Sequence, residues 1–185
     1  MDSSLPTINW FVLVQEEGQQ TTMLAGDPGG WTNWGITQAK LSEWIGRYAT
    51  TQDVLRLQLP TAAAILKRDY YSKVGGPAAW AGLDLMLTDH GFNAGENDSV
   101  RVIQRLLDVH VDGLVGDETE GAWNAVQDRR GFLLRVRTAQ EHDYRTKGDF
   151  PLFGKEWIGD PDAEDDWRRD GRLGRRYKAA LALVA

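Results

Sequence analysis

Residues 19–35 are the one long stretch in which this 185-residue chain loses its helical period. Gln, Thr, Gly, Pro and Asn dominate there, and apolar residues stop recurring every three or four positions. On either side the period holds. Pro6 and Thr7 suit a helix start, and Ile8, Phe11, Val12 and Val14 or Gln15 follow on one face until Gly18 ends the run. Thr37 is placed to cap a helix through about Tyr48, Thr51 to begin a short one, and Pro60-Thr61 to begin a longer one through Tyr71 or Val74, stopped by Gly75-Gly76-Pro77. Further helices are expected over 83–92, 98–109, 117–126, 129–146 and 166–184, with 151–161 a loop. Leu83–Phe92 is apolar apart from Asp84, Asp89 and His90, and its length fits a buried central helix better than a strand. With about eight helices and no period of 20–50 residues, the chain reads as mainly α, with its irregular window as an inserted loop or β-hairpin.

At 42% hydrophobic, the chain can bury one good core, so a single compact unit is expected. It has no cysteine, which removes disulfides, thiolate metal sites and cysteine nucleophiles. A net charge of −6 argues against a nucleic-acid binder working through a broad basic surface. Charge is nevertheless uneven. An acidic block (Glu156, Asp160, Asp162, Glu164, Asp165, Asp166) precedes a basic one (Arg168, Arg169, Arg172, Arg175, Arg176, Lys178). Two readings stay open: segments that screen one another, or a basic helix making weak contact with anionic outer-membrane lipids. The apolar patch Trp10–Val14 is too short to span a bilayer and has no basic region before it, so no classical export signal is expected.

The irregular window and its edges carry the candidate chemistry. Glu17 sits at the end of an apolar helical run, a setting suited to a general acid. Asp27 follows ten residues on in an Asp-Pro-Gly-Gly turn, and Thr32 fifteen after Glu17. Two carboxylates across a cleft are the equipment of glycoside hydrolysis, one to protonate the leaving oxygen and one to activate water, with a threonine hydroxyl to help hold that water. The competing reading is ordinary surface and turn chemistry, and spacing alone leaves both open. Eight tryptophans suit a sugar cleft as well as a core, since a flat ring packs on the apolar face of a pyranose. No metal or other cofactor is expected. Asp108, His110, Asp112 and Gly113 imitate a calcium loop but end on Thr119 in place of glutamate, and His90, His110 and His142 lack zinc spacing.

Taken together, Glu17-Gly18, Asp27-Pro28-Gly29-Gly30 and Thr32-Asn33-Trp34-Gly35-Ile36-Thr37 resemble the signature of the glycoside hydrolase family 108 lysozymes, N-acetylmuramidases of phages and bacteria. Asp69-Tyr70-Tyr71, Asp89-His90-Gly91-Phe92-Asn93-Ala94-Gly95, and Ile103–Leu107 with Asp112–Thr119 continue the resemblance, although Gln19, His90 and Asp117 depart from the usual residues. The resemblance implies a mainly α, lysozyme-like helical fold with a small irregular or β-hairpin segment near the active site. It implies a catalytic N-terminal part over 1–80 and a helical, peptidoglycan-binding-like part over 81–185. Glu17 would be the general acid. Asp27 and Thr32 would position the attacking water, with the Glu17 and Asp27 carboxyls about 6.5–9.5 Å apart for an inverting reaction. Asn33, Trp34 and Tyr70 would bind substrate. Asp89 and Asn93, four apart on one helical face, would either join them or satisfy buried groups around the central helix. The implied partner is bacterial peptidoglycan, cut at the β-1,4 bond between N-acetylmuramic acid and N-acetylglucosamine. The implied setting is a monomeric phage-type endolysin held in the host cytoplasm until release to the wall. A lytic transglycosylase and a decayed wall-binding or virion structural protein are the alternatives.

Overall fold

The computed structural model describes residues 4–19 and 30–184. Among them are ten α-helices, two π-helical runs and one two-stranded antiparallel hairpin, so the fold is mainly α with a small β element, as expected. Contacts divide the chain into two compact units, Leu5–Asp69 and Tyr70–Ala185, the latter including Met1–Ser4.

In the unit Leu5–Asp69, α1 (Leu5–Asn9) runs directly into a π-helix, Trp10–Glu17. The wider i→i+5 winding changes which residues face inward. Phe11, Val12 and Leu13 are buried in succession while Val14 is exposed, so the inward face is not the one a 3.6-residue period gives. The hairpin comes next, β1 (Thr32–Asn33) against β2 (Ile36–Thr37). Thr37 then caps α2 (Gln38–Ile45), its hydroxyl accepting from the Lys40 amide, as its sequence position suggested. Thr50 and Asp53 form a reciprocal capping box on α3 (Thr51–Leu55), and Asp53 also takes a two-pronged ion pair from Arg47 at 2.9 Å. Pro60 lies in the first turn of α4 (Leu59–Leu66). The helix expected to continue to Tyr71 changes instead to a second π-helix over Lys67–Tyr71. The core of this unit is Ile8, Leu13, Ile36, Val54, Ile65 and Leu66 with their neighbours.

In the second unit, α5 (Leu83–Ala94) is the central helix that its apolar run indicated, buried continuously from Leu83 to Gly91. Packed around it are α6 (Glu96–Leu107), α8 (Arg129–Thr146) and α10 (Asp166–Leu183), with α7 (Asp117–Asn124) against α6. Side chains also tie these helices to the backbone of α5. Ser99 donates to the Leu87 carbonyl at 2.8 Å and Gln140 to the Met86 carbonyl at 3.0 Å.

Residues 151–161, expected as a loop, are mostly helical: α9 spans Phe150–Ile158. Pro151 stands in its first turn, where the missing N–H costs nothing, so the residue that suggested a loop opens a helix. The last helix is broken at Gly171, with φ 60° and ψ 177°. A Cβ there would lie 2.1 Å from the Gly159 amide nitrogen, so the approach of the α9 end to this break demands glycine. Among the described residues no helix is long and apolar enough to cross a membrane.

Candidate active site

Glu17 is the last residue of the first π-helix, half-buried and followed at once by Gly18. The Gly18 amide donates to the Leu13 carbonyl at 3.0 Å, closing the final π-turn. A glutamate at this point is held by an apolar segment that is itself fully packed: Ile8, Phe11, Val12 and Leu13 are all at most 1% exposed. π-turns recur at functional sites, where they re-aim a side chain without ending the helix. Sequence periodicity gives no sign of one.

The hairpin beyond is fixed by its turn. Trp34 and Gly35 both have positive φ, 53° and 69°, the signature of a two-residue type I′ connection. Glycine suits that backbone and tryptophan does not, so the Trp34 conformation is maintained by its surroundings. Its indole N–H donates to the Leu57 carbonyl at 3.2 Å. Asn33 is fully buried and its Nδ2 donates to the Val54 carbonyl at 2.9 Å, pinning the strand to the end of α3. Gln38 adds a second tie, donating to the Ala49 carbonyl at 2.6 Å. Thr32 and Trp34 remain partly exposed. The two residues expected to line sugar subsites therefore differ. Trp34 offers a partly open ring held in place by its nitrogen, whereas Asn33 has no accessible surface and serves as an anchor. Asp27 lies outside the described residues.

In the second unit, Tyr70 is half-buried and packs its ring 4.9 Å from that of Phe92. Asn93 donates to the Asp89 carbonyl at 2.7 Å. Asp89 itself is fully buried. Arg172 reaches one carboxylate oxygen with Nε at 2.9 Å and Nη2 at 2.6 Å, and Arg176 reaches the other at 2.6 Å. Arg176 also donates to Gln140 Oε1 at 2.9 Å, and lies close to the Tyr144 hydroxyl. Burial opposes the charge on Asp89, but the two guanidinium charges prevail and hold its carboxyl below the usual carboxylate range. Such a carboxylate is enclosed on every side, and the expectation that it touches sugar gives way to its role in satisfying buried groups. Arg172 and Arg176 are core residues although they stand in the basic block, and no local signal in the sequence separates them from their exposed neighbours. Of the rest of that block, Arg168, Arg169 and Lys178 pair with Asp165, Asp166 and Asp170, which agrees with the screening reading.

Residues 11–95 match the model of the family described as glycosyl hydrolase 108. A solved structure, that of Brucella abortus SagA, superimposes with a TM-score of 0.79 at 28% identity, over 97% of this chain and 92% of that one. Curated proteins give no match. Just under half of the chain, residues 11–95, is thus similar to the glycosyl hydrolase 108 family.

All eight residues expected at the site fall inside the segment that matches glycosyl hydrolase 108, and the segment closes at Gly95, where α5 ends. The Ile103–Leu107 and Asp112–Thr119 motif lies beyond it. There Gln104, 1% exposed, organises a loop: its Nε2 donates to Asp112 Oδ1 and the Leu114 carbonyl, both at 2.8 Å, and its Oε1 accepts from the Asp112 and Gly113 amides. The polar atoms of Gln104 are thus spent on this loop. Among the described residues no cluster of three His, Asp or Glu is placed to hold a metal.

Proposed function

We propose that the chain is an N-acetylmuramidase, cleaving the β-1,4 bond between N-acetylmuramic acid and N-acetylglucosamine, with Glu17 as general acid. The supporting observation is the position of Glu17. It is a half-buried carboxyl at the end of a rigidly packed π-helix, inside the family segment and before a hairpin held by two side-chain anchors. In this reading Glu17 gives its proton to the glycosidic oxygen as the C–O bond breaks and positive charge spreads over the anomeric carbon and ring oxygen. Water attacks the opposite face and loses its proton to Asp27, while Thr32 holds that water and Trp34 supports the sugar ring, so configuration inverts. The helical second half is proposed to hold the wall polymer during cutting, with host-cell lysis as the biological setting.

The test is digestion of purified sacculi by wild type and Glu17→Gln, with mass spectrometry of the released ends. Hydrated reducing N-acetylmuramic acid from wild type, and at least about a hundredfold less from Glu17→Gln, are expected for loss of a general acid. Anhydro-muramic ends would replace hydrolysis with transglycosylation. Equal turnover by both proteins would remove Glu17 from the mechanism.

A further inference from the structure

Trp31 stands between Gly30 and Thr32, at the bend that leads into β1. Its backbone is held on both sides by one residue. The Gln38 amide donates to the Trp31 carbonyl at 2.7 Å, and Gln38 Oε1 accepts from the Trp31 amide at 3.4 Å, while Gln38 Nε2 is spent on the Ala49 carbonyl. Gly30 completes the hold. Its φ is 73°, and a Cβ there would lie 2.6 Å from Gln38 Oε1, so glycine alone lets the chain come this close to the clamp. The side chain is less committed than the backbone. Trp31 is half-buried, and among the described residues its indole N–H has no acceptor and its ring no aromatic or cationic partner. Other tryptophans of the unit Leu5–Asp69 differ. The Trp34 N–H is taken by the Leu57 carbonyl, and the Trp44 ring is covered by the Arg68 guanidinium, 4.4 Å from its centroid. Trp10 is likewise unpartnered among the described residues, but at 55% exposure most of its surface is in water, whereas Trp31 is half-buried in a fixed position.

We propose that Trp31 binds one N-acetylated sugar of the glycan, its ring against the apolar face of the pyranose and its indole N–H donating to the acetamido carbonyl. The inference rests on the reading that the peptidoglycan glycan is the substrate. A tryptophan that is partly removed from water normally finds an acceptor for its N–H, and an N-acetylated sugar brings one beside a face of C–H groups. Trp34 cannot do both. Its N–H is committed to the protein, so it offers a sugar its ring alone, while Trp31 has a ring and a donor to give. Because Gln38 fixes the Trp31 backbone in the free protein, little ordering remains to be done on binding. A site built around such a donor discriminates against a sugar that lacks the acceptor, here one whose acetyl group has been removed. Trp31 is therefore assigned the selection of N-acetylated over de-N-acetylated glycan.

The probe is a stem-free tetrasaccharide of alternating N-acetylglucosamine and N-acetylmuramic acid, with its chemically de-N-acetylated form for comparison, added to the Glu17→Gln protein. The indole N–H resonance of Trp31, identified by its loss in Glu17→Gln/Trp31→Phe, is expected to shift with the N-acetylated tetrasaccharide and not with the other. Trp31→Phe keeps a ring and removes the donor. It is expected to raise the Kd of the N-acetylated tetrasaccharide about fivefold, the worth of one neutral hydrogen bond, and to leave the Kd of the de-N-acetylated form unchanged. Trp31→Ala, which loses the ring as well, should raise the Kd of the N-acetylated form about thirtyfold. An unmoved Trp31 indole, an unchanged Kd in Trp31→Ala, or an equal effect of Trp31→Phe on both tetrasaccharides would overturn the proposal. Cleavage of the tetrasaccharide by Glu17→Gln is scored separately by mass spectrometry, so failure of the general-acid assignment and failure of the Trp31 contact are distinct results.

Discussion

Replacing Asp89 by asparagine keeps the shape of the side chain and removes its charge. The structure makes the consequence large. Asp89 is 0% exposed, Arg172 and Arg176 are 3% and 0% exposed, and three N–H groups of the two arginines converge on the carboxylate at 2.6–2.9 Å. Without the anion, the two buried guanidiniums lose the carboxylate they share, and breaking a buried ion pair from one side costs about 3–5 kcal/mol. For a protein of this size that is a fall in melting temperature of roughly 6–20 °C. Urea unfolding followed by tryptophan fluorescence measures it directly, with thermal unfolding by circular dichroism as a check. Replacing Asp89, Arg172 and Arg176 together by Leu, Met and Met should recover much of the loss, since removing a whole buried cluster is far cheaper than orphaning part of it. The pH dependence has a definite sign. The folded pKa of Asp89 is depressed, so its contribution is complete above the unfolded value of about 3.9 and is lost as pH falls towards the folded value. A cost below about 1 kcal/mol together with loss of sugar binding would refute the reasoning, because it would make Asp89 a substrate contact and not an interior anion.

Asn33→Ala should lower stability by about 1–3 kcal/mol, because the Val54 carbonyl loses its buried donor; unchanged urea unfolding with weakened substrate binding would contradict the anchoring role. His90 is fully buried in α5, and burial outweighs the nearby Asp143 carboxylate to push its pKa below the ordinary value. The unfolded chain therefore takes up a proton near pH 6.5 that the folded chain refuses. Stability should fall as pH drops below about 6.5, by up to roughly 1.4 kcal/mol per pH unit from this group. His90→Gln should flatten that slope between pH 5 and 6.5 in unfolding titrations, and an unchanged slope would assign it elsewhere.

The helices were legible where the period was regular and the caps were local. Thr37 and Pro60 stand where their chemistry suggests, and α5 and α8 fall on their apolar patterns. Pro151 misled because proline both ends helices and opens them, and the packing of the downstream residues makes the choice. The π-winding around Glu17 escaped the sequence for a different reason. Both the α and π windings bury one face of an apolar run, and only the packed structure decides that Leu13 goes inward and Val14 outward. Glu17, Thr32 and Trp34 stand out in the sequence as candidates because glycines and turn residues frame them. The fates of Asn33 and Asp89 could not, since an asparagine that clasps a distant carbonyl and an aspartate that meets arginines 83 and 87 residues away leave no local mark. Spacing along the chain placed Asp89 and Asn93 on one face, but it could not reveal that α10 covers the carboxylate.

The most direct measurement is the product spectrum of sacculi treated with equal amounts of wild type and Glu17→Gln, after unfolding curves have shown the two to be equally stable. Hydrated N-acetylmuramic acid ends from the wild type, with at least about a hundredfold fewer from the variant, are the predicted result. Equal release of those ends by both proteins would contradict the assignment of Glu17 as the general acid.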